Sequence, residues 1–331
     1  MSYVINDLHM GCNRTGGTTP ESAAALKAFM SEKLQTMLDV VDDNLIVMGD
    51  LFDAYTVPND VLLDVYQRFR EWQVMKGGRQ LYMVPGNHDL SKDSSRLSSF
   101  ALLCSLLEVD CLHGLTNIDD SIYTLSHVAN QDEFNLLLSQ VPDCEYLLVH
   151  CNYDNHFAVN SDHSLNMSRE QAEACKAEKI YFAHEHHART ALGGKVFIGG
   201  NQFPSSVSDC LDKQSKYMYK LNEGSIMLTQ TWSAVEYAEV DWKFPEATGA
   251  GFVRLAGTAL PEEAAAMAEF VASYRKSSKA YVVTNAIIVG QDAESDKLKL
   301  ASLEALQAFD VHAALKEYLT EDENKIIESL T

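Results

Sequence analysis

No stretch of this 331-residue chain approaches the roughly 20 consecutive apolar residues that a bilayer crossing requires, which excludes a membrane-spanning helix. Paired cysteines are missing as well. Seven cysteines, an odd number, stand at Cys12, Cys104, Cys111, Cys144, Cys151, Cys175 and Cys210, with no C-x-x-C among them. They read as buried, reduced small hydrophobes, and the chain as a protein of a reducing, cytoplasmic compartment. Basic residues are the third shortage: 26 Lys and Arg stand against 47 Asp and Glu, a net charge of −21. The deficit is not confined to a tail, since the first 242 residues hold 17 basic and 33 acidic side chains. A protein that grips duplex nucleic acid unaided needs clustered Lys and Arg against the phosphates, and this composition argues against it. Repeats, heptads and low-complexity tracts are also absent.

What is present fits a large globular core. The apolar share of 46% and charged share of 22% are ordinary, and the length exceeds the range where single cores stop growing, so two domains are expected. The opening residues read as a core strand rather than a signal peptide. A βα alternation follows. Thr19-Pro20 opens a helix by capping chemistry, and Leu26, Met30, Leu34, Met37, Leu38 and Val41 mark its buried stripe. A second helix follows Pro58, with Val61, Leu62, Val65, Phe69 and Trp72 facing inward. Short strands at Lys195 to Ile198, Lys216 to Leu221, Ser225 to Gln230 and Ala234 to Val240 are assigned to a second sheet. The stretch Lys243 to Gly251 has linker composition, after which the pattern restarts as strand Phe252 to Leu255, helix Pro261 to Tyr274 and strand Ala280 to Val289. Beyond the acidic loop Gln291 to Asp296, helices are predicted at Leu300 to Phe309, His312 to Leu319 and Glu321 to Leu330.

The chemistry sits in a few short segments: Asp7-Leu8-His9, Gly49-Asp50-Leu51-Phe52-Asp53, Gly86-Asn87-His88-Asp89, a lone His150, and His184-Glu185-His186. Each follows an apolar run of strand type, Tyr3 to Ile5, Leu45 to Met48, Leu81 to Val84, Tyr146 to Val149 and Ile180 to Phe182. The polar residues therefore fall just past strand carboxyl ends, where α/β sheets carry their sites. Carboxylate and amide oxygens with imidazole nitrogens suit manganese, iron or zinc, and a carboxylate between two such ions can bridge them. Two ions roughly 3.5 to 4 Å apart can generate a hydroxide near neutral pH and clamp the attacking and leaving oxygens of a phosphoryl group. His184 and His186, two apart, would share one face of a continuing strand, with His187 on the other. His113, His127, His187 and His312 have no partners at ligand spacing and read as surface or hydrogen-bonded core histidines. His156 and His163 lie in the polar stretch Asn152 to Ser168, where a loop past a strand end can touch substrate.

These segments, in this order, resemble the calcineurin-like metallophosphoesterase superfamily, whose pattern reads D-x-H, G-D-x-x-D, G-N-H-[DE], a lone His after a strand, and G-H-x-H. The likeness runs from residue 1 to about 210, with Ala183 where the last motif usually has glycine. It implies an α/β fold, a four-layer αββα sandwich, with Asp7, His9, Asp50 and His186 holding one metal and Asp50, Asn87, His150 and His184 the other. Two divalent ions are implied, preferably Mn2+, with Fe2+ or Zn2+ also suited. His88 would be the proton donor or charge stabiliser facing the leaving oxygen, and Asp53 its orienting carboxylate.

Within the superfamily, Ala54 stands where protein phosphatases carry the Arg that grips a phosphomonoester, and the third motif ends in Asp89 rather than Glu. The segment Ile198 to Ser206 and the appended βαβ unit resemble SbcD-type DNA repair exonucleases and the recombination nuclease subunit of tailed phages. That likeness implies a metallophosphoesterase catalytic domain over 1–242, a small α+β cap over 252–298, and terminal helices over 299–331 that dock on an SMC-like coiled-coil ATPase through Leu315, Leu319, Ile326 and Ile327. It implies a DNA substrate, metal-generated hydroxide as nucleophile, and a cytoplasmic setting, that of the host if the chain is viral. A homodimer is left open. The alternative is a small-molecule or cyclic-nucleotide phosphodiesterase or phosphatase of the same superfamily, and a non-catalytic scaffold is disfavoured by the intact ligand set.

Overall fold

The computed structural model describes residues 1–12, 19–90, 96–155 and 164–290. The expected terminal helices over 299–331, the end of the expected cap to residue 298, and His156, His163 and His312 lie outside the described residues.

Two sheets face each other. The first has five strands, β1 (Ser2–Ile5), β2 (Asn44–Met48), β3 (Leu81–Val84), β12 (Lys216–Asn222) and β13 (Ser225–Trp232), in the order β13-β12-β1-β2-β3. β1, β2 and β3 run parallel, while β12 returns antiparallel to β1. The second holds β4 (Leu115–Asp119), β5 (Ile122–Leu125), β6 (Cys144–His150), β9 (Ala177–Ala183), β10 (Arg189–Ala191) and β11 (Val196–Ile198), in the order β10-β11-β9-β6-β5-β4. A short pair, β7 (Asn152–Tyr153) with β8 (Asn166–Met167), follows β6.

Strand alternation sets the layers. Val4, Ile46, Met48 and Val84 of the first sheet meet Tyr146, Leu148, Tyr181 and Ala183 of the second in one buried cluster. Their neighbours Tyr3, Ile5, Leu45 and Val47 face outward onto α1 (Pro20–Val40), α2 (Asn59–Met75) and α3 (Ser99–Leu107). On the far side Leu147, Val149, Ile180 and Phe182 pack against α4 (Gln131–Leu138) and the helix Arg169–Ala174. This is the expected α/β sandwich, with helices covering the outer face of each sheet. The helix starts follow local chemistry: the Thr19 hydroxyl accepts from Ser22 N at 3.2 Å, and Pro20 occupies the first turn of α1.

Sheet membership differs from the sequence assignment. Of the strands after His186, β11 joins β9 in the second sheet as expected, whereas β12 and β13 extend the first. The strand expected at Ala234 to Val240 is β14 (Tyr237–Asp241), which pairs with β15 (Phe252–Ala256) across the linker, and β15 pairs with β17 (Val282–Asn285). Hydropathy sets which face of a strand is buried; long-range pairing sets its neighbour. The restart after residue 251 holds, with β15, the helix Ala264–Ser277 and β17 in βαβ order, and β16 (Thr258–Ala259) pairing with β18 (Ile288–Val289) beside it.

This appended sheet is not loosely tethered. Phe252 and Val282 belong to the same buried cluster as α1 and α2, and Phe29 of α1 lies 5.6 Å from Phe252 and 4.9 Å from Tyr281 between ring centroids. Aromatic contacts of this kind add to the burial they accompany. Phe252→Ala should therefore cost about 3 to 5 kcal/mol and shift the whole denaturant transition, as followed by tryptophan fluorescence. An unchanged main transition beside a separate early one would show that the appended sheet is an independent unit.

Candidate metal centre

The parallel strands β1, β2 and β3 of one sheet and β6 and β9 of the other end at a common edge. Asp7 and His9 follow β1, Asp50 follows β2, Asn87 and His88 follow β3, His150 closes β6, and His184 follows β9. Asp7, His9, Asp50 and His184 all have left-handed backbone, with φ of 51°, 47°, 50° and 84°. Non-glycine residues seldom adopt this region, and such strain persists where surrounding contacts over-determine it. Gly86 is needed for a different reason: a Cβ there would collide with Asp50 Oδ1 and His150 Cε1.

Three groups of ligand atoms come together among the described residues: Asp7, His9 and His186; Asp50, His150 and His184; and His9, Asp50 and His88. His9 Nε2 and His186 Nε2 face each other at 3.1 Å. Their other ring nitrogens meet carboxylates, His9 Nδ1 at 3.3 Å from Asp53 and His186 Nδ1 at 2.8 Å from Asp209. His186 Nδ1 is hydrogen-bonded to Asp209, the arrangement of a carboxylate-backed metal-binding imidazole, whereas His9 Nδ1 lies beside Asp53 without a hydrogen bond; with both Nδ1 atoms protonated, the two Nε2 atoms present lone pairs to the same point. His150 repeats the logic, with Nδ1 at 3.1 Å from the Met48 carbonyl and Nε2 at 3.4 Å from Asp50 and 3.1 Å from Asn87 Oδ1.

The charges are mutually dependent. Burial alone would raise the Asp50 carboxyl, yet the imidazoles of His150, His9 and His88 outweigh it and hold the group well below the usual carboxylate range. Burial would likewise lower His150, but Asp50 raises it to about 9. Asp7, fully buried, accepts from Asn6 Nδ2 and His184 N through Oδ2, while its Oδ1 is buried with no hydrogen-bond partner. An orphaned carboxylate oxygen beside facing imidazole nitrogens is what a divalent cation would satisfy. The donor set therefore fits metal.

Two expectations are corrected. The Asp53 carboxylate is turned to His9, and it is the Asp53 carbonyl that lies 2.6 Å from His88 Nδ1; the loop after β2 brings backbone, not side chain, to that ring. His184 and His186 do not share a strand face either. β9 ends at Ala183, the left-handed turn at His184 breaks the alternation, and the two rings reach different ligand groups. His187, read as a bystander, pairs with Asp212 at 2.9 Å on the surface.

Several contributors escaped the sequence reading. Asp89, fully buried, accepts from the backbone N–H of Leu51, Phe52 and Gly86, tying the second motif to the third; burial, then repulsion from Asp50, pushes it up to about 7. Asp209 receives N–H and hydroxyl donors from both Ser205 and Ser206 and backs His186, with its carboxyl held far down by that imidazole against burial. So the segment Ile198 to Ser206 approaches the His186 loop rather than the ligands directly: Gly200, at φ 68°, leaves its Cβ position 3.0 Å from His186 O. Asn6 joins Gln202, Tyr181 and Asp7 in one buried network. Nothing in spacing marks Asp209; only its place two residues past Ser206-Val207 in a Ser-rich turn hinted at an acceptor. His127, set aside as a core histidine, bonds Pro85 O through its backbone at 3.2 Å, and burial with the nearby His150 imidazole lowers its ring to about 4.

The calcineurin-like phosphoesterase profile matches residues 2–188, more than half of the chain and every ligand position named above. The chain belongs to that family. No curated protein matches it significantly. Metal-dependent hydrolysis of phosphoesters follows from the family and is consistent with the clustered His and Asp side chains. Family members bind two divalent metals, and no helix among the described residues of this phosphoesterase is long and apolar enough to cross a membrane.

Asp50→Asn should abolish hydrolysis of a chromogenic phosphodiester and lower bound metal measured by mass spectrometry; undiminished turnover in this variant or in a chelator would remove Asp50 from the centre. Asp209→Asn should weaken metal affinity by about 10- to 100-fold, the usual cost of losing a carboxylate behind a ligating imidazole, whereas removing the exposed carboxylate behind His187 with Asp212→Asn should not.

Proposed function

We propose that this phosphoesterase is a DNA nuclease with a dinuclear metal centre, working in repair or recombination beside an SMC-like coiled-coil ATPase. The observation that carries the reading is the appended βαβ unit. It shares its core with α1 and closes a cleft of about 220 Å3 against Ser206 to Leu211, the turn that carries Asp209. A folded element held against the metal-supporting turn is suited to choosing which phosphodiesters reach the centre. Ala54 supports the same direction, because the position lacks the guanidinium that would fix a phosphomonoester.

In this reading Asp7, His9, Asp50 and His186 would hold one ion and Asp50, Asn87, His150 and His184 the other, with manganese preferred; bound there, such ions would supply Lewis acidity and a nucleophile at neutral pH. The Asp53 carbonyl accepts from His88 Nδ1 and turns Nε2 to the open side, so the ring would give a proton to the departing oxygen only as the imidazolium, from Nε2–H, and return to the neutral Nδ1–H tautomer. The His88 backbone N–H meanwhile donates to Asp50 Oδ1 at 2.9 Å, so ring and ligand are positioned together. The net charge of −21 leaves phosphate neutralisation to a partner, which the apolar positions Leu315, Leu319, Ile326 and Ile327 would dock.

Purified protein with manganese should degrade end-labelled linear duplex DNA in preference to a cyclic nucleotide or a phosphomonoester. Turnover of the small substrates with intact DNA would favour the small-molecule alternative. His88→Asn should retain both metals and lose about 100- to 10,000-fold in turnover, while His184→Ala should lower metal content; the reverse pattern would exchange their roles. Deleting 300–331 should leave hydrolysis of a chromogenic diester intact and abolish co-purification with the ATPase, and a truncated chain that still co-purifies would rule out this docking segment.

A further inference from the structure

Lys216 opens β12 and is only 6% exposed. Lysine is almost never buried to this extent unless its charge is paired. Its ammonium donates to Asn201 Oδ1 at 2.5 Å and to the His186 carbonyl at 3.3 Å, and neither acceptor carries a charge. The surrounding chain is shaped around this contact. Pairing between β12 and β13 slips here, with Lys216 opposite Trp232 and Tyr217 opposite Gln230, so Thr231 is the extra residue of a bulge. The Thr231 hydroxyl donates to the Gln202 carbonyl, next to the buried Asn201. At Gly200 a Cβ would stand 3.0 Å from both the His186 carbonyl and Ala188 N. The segment Gly200 to Gln202 is thus held between β13 and the His186 loop, and Lys216 Nζ joins Asn201 to His186.

His186 therefore has two supports of different kinds. Asp209 takes its ring at Nδ1, 2.8 Å away, and Lys216 takes its backbone. The two supports also complement each other in charge. Asp209 is 4% exposed, and an imidazole that ligates a cation through Nε2 is neutral, so this ring is not the counter-charge of the carboxylate when metal is bound. A buried carboxylate needs a cation from elsewhere. Lys216 is a buried cation on the same loop, and against burial the His186 imidazole and then Lys216 hold the Asp209 carboxyl low.

We propose that Lys216 is a positioning residue for one half of the metal centre, fixing the His186 backbone and supplying the counter-charge of Asp209, so that the ion held by Asp7, His9 and His186 depends on it. This rests on the dinuclear reading of the centre. The other ligand group is braced elsewhere, His150 by the Met48 carbonyl and His184 through its N–H to Asp7. Loss of Lys216 is therefore felt at one ion and not at both.

The test is Mn2+ binding by the full-length chain after chelator treatment, with calorimetry and elemental analysis giving affinities and ions per chain. The wild-type chain should take up two ions. Lys216→Met should keep one at wild-type affinity and bind the other at least about 10-fold more weakly, the usual loss when a group behind a ligand is removed. Lys216→Gln, which keeps a donor without the charge, should weaken the same ion. Asn201→Ala, which leaves the ammonium but removes its acceptor, should do so to a lesser degree and guards against a folding defect of the lysine variants, as do melting curves of the metal-free proteins. Adding Lys216→Met to His186→Ala should cause no further loss, which assigns the weakened ion to the His186 side. Lys220→Met, on the same strand but paired with Asp42 at 3.1 Å, should change neither ion. Wild-type affinity for both ions in Lys216→Met, equal weakening of both, or additive losses in the double variant would overturn the assignment of Lys216. A wild-type chain that binds only one ion would instead remove the dinuclear reading, and this inference with it.

Discussion

A carboxylate at Asp50 that is only 1% exposed, and that shares His9 with the buried Asp7 in its ligand groups, constrains everything around it. Charges taken out of water must be paired, and here the compensation comes from imidazoles brought in on separate strands. His150 arrives on β6, His184 after β9, His9 after β1 and His88 after β3, each aimed by a contact to its other ring nitrogen or its backbone. Without the meeting of two parallel sheet edges, no local structure could hold these groups together. The left-handed backbone at Asp7, His9, Asp50 and His184 is the conformational cost of bending each loop into the same space.

The outer contacts decide how rigid that arrangement is. Asp89 joins two motif loops through three backbone donors, and Asp209 is itself gripped by two serines before it grips His186. Asn6, Gln202 and Tyr181 tie the two sheets beneath Asp7. A first set of ligands placed this way does not depend on side-chain rotamers chosen at the moment of binding, which is the condition for catalysis by preorganised charge.

The acidity of the chain and the seating of its appended sheet are properties of the molecule as a whole. A net charge of −21 repels polyanions at long range, and the appended sheet is packed on α1 through the contacts of Phe252 and Tyr281 with Phe29.

The motif segments, the strands before them and the stripes of α1 and α2 were legible in the sequence, because hydrophobic periodicity and ligand chemistry are local properties of the chain. So was the βαβ restart after residue 251. Which sheet received β12, β13 and β14 was not legible, since a strand's pattern specifies its buried face but not its neighbour. The same limit hid Asp209 and Asp89, whose importance lies in what they touch, and misdirected Asp53, whose carbonyl rather than carboxylate meets His88. The sequence by itself determined which residue types could hold metal and in what order they arrive. Only the tertiary structure decided which ring faces which oxygen, because those pairings close loops of tens of residues and are selected by packing, not by neighbours in the chain.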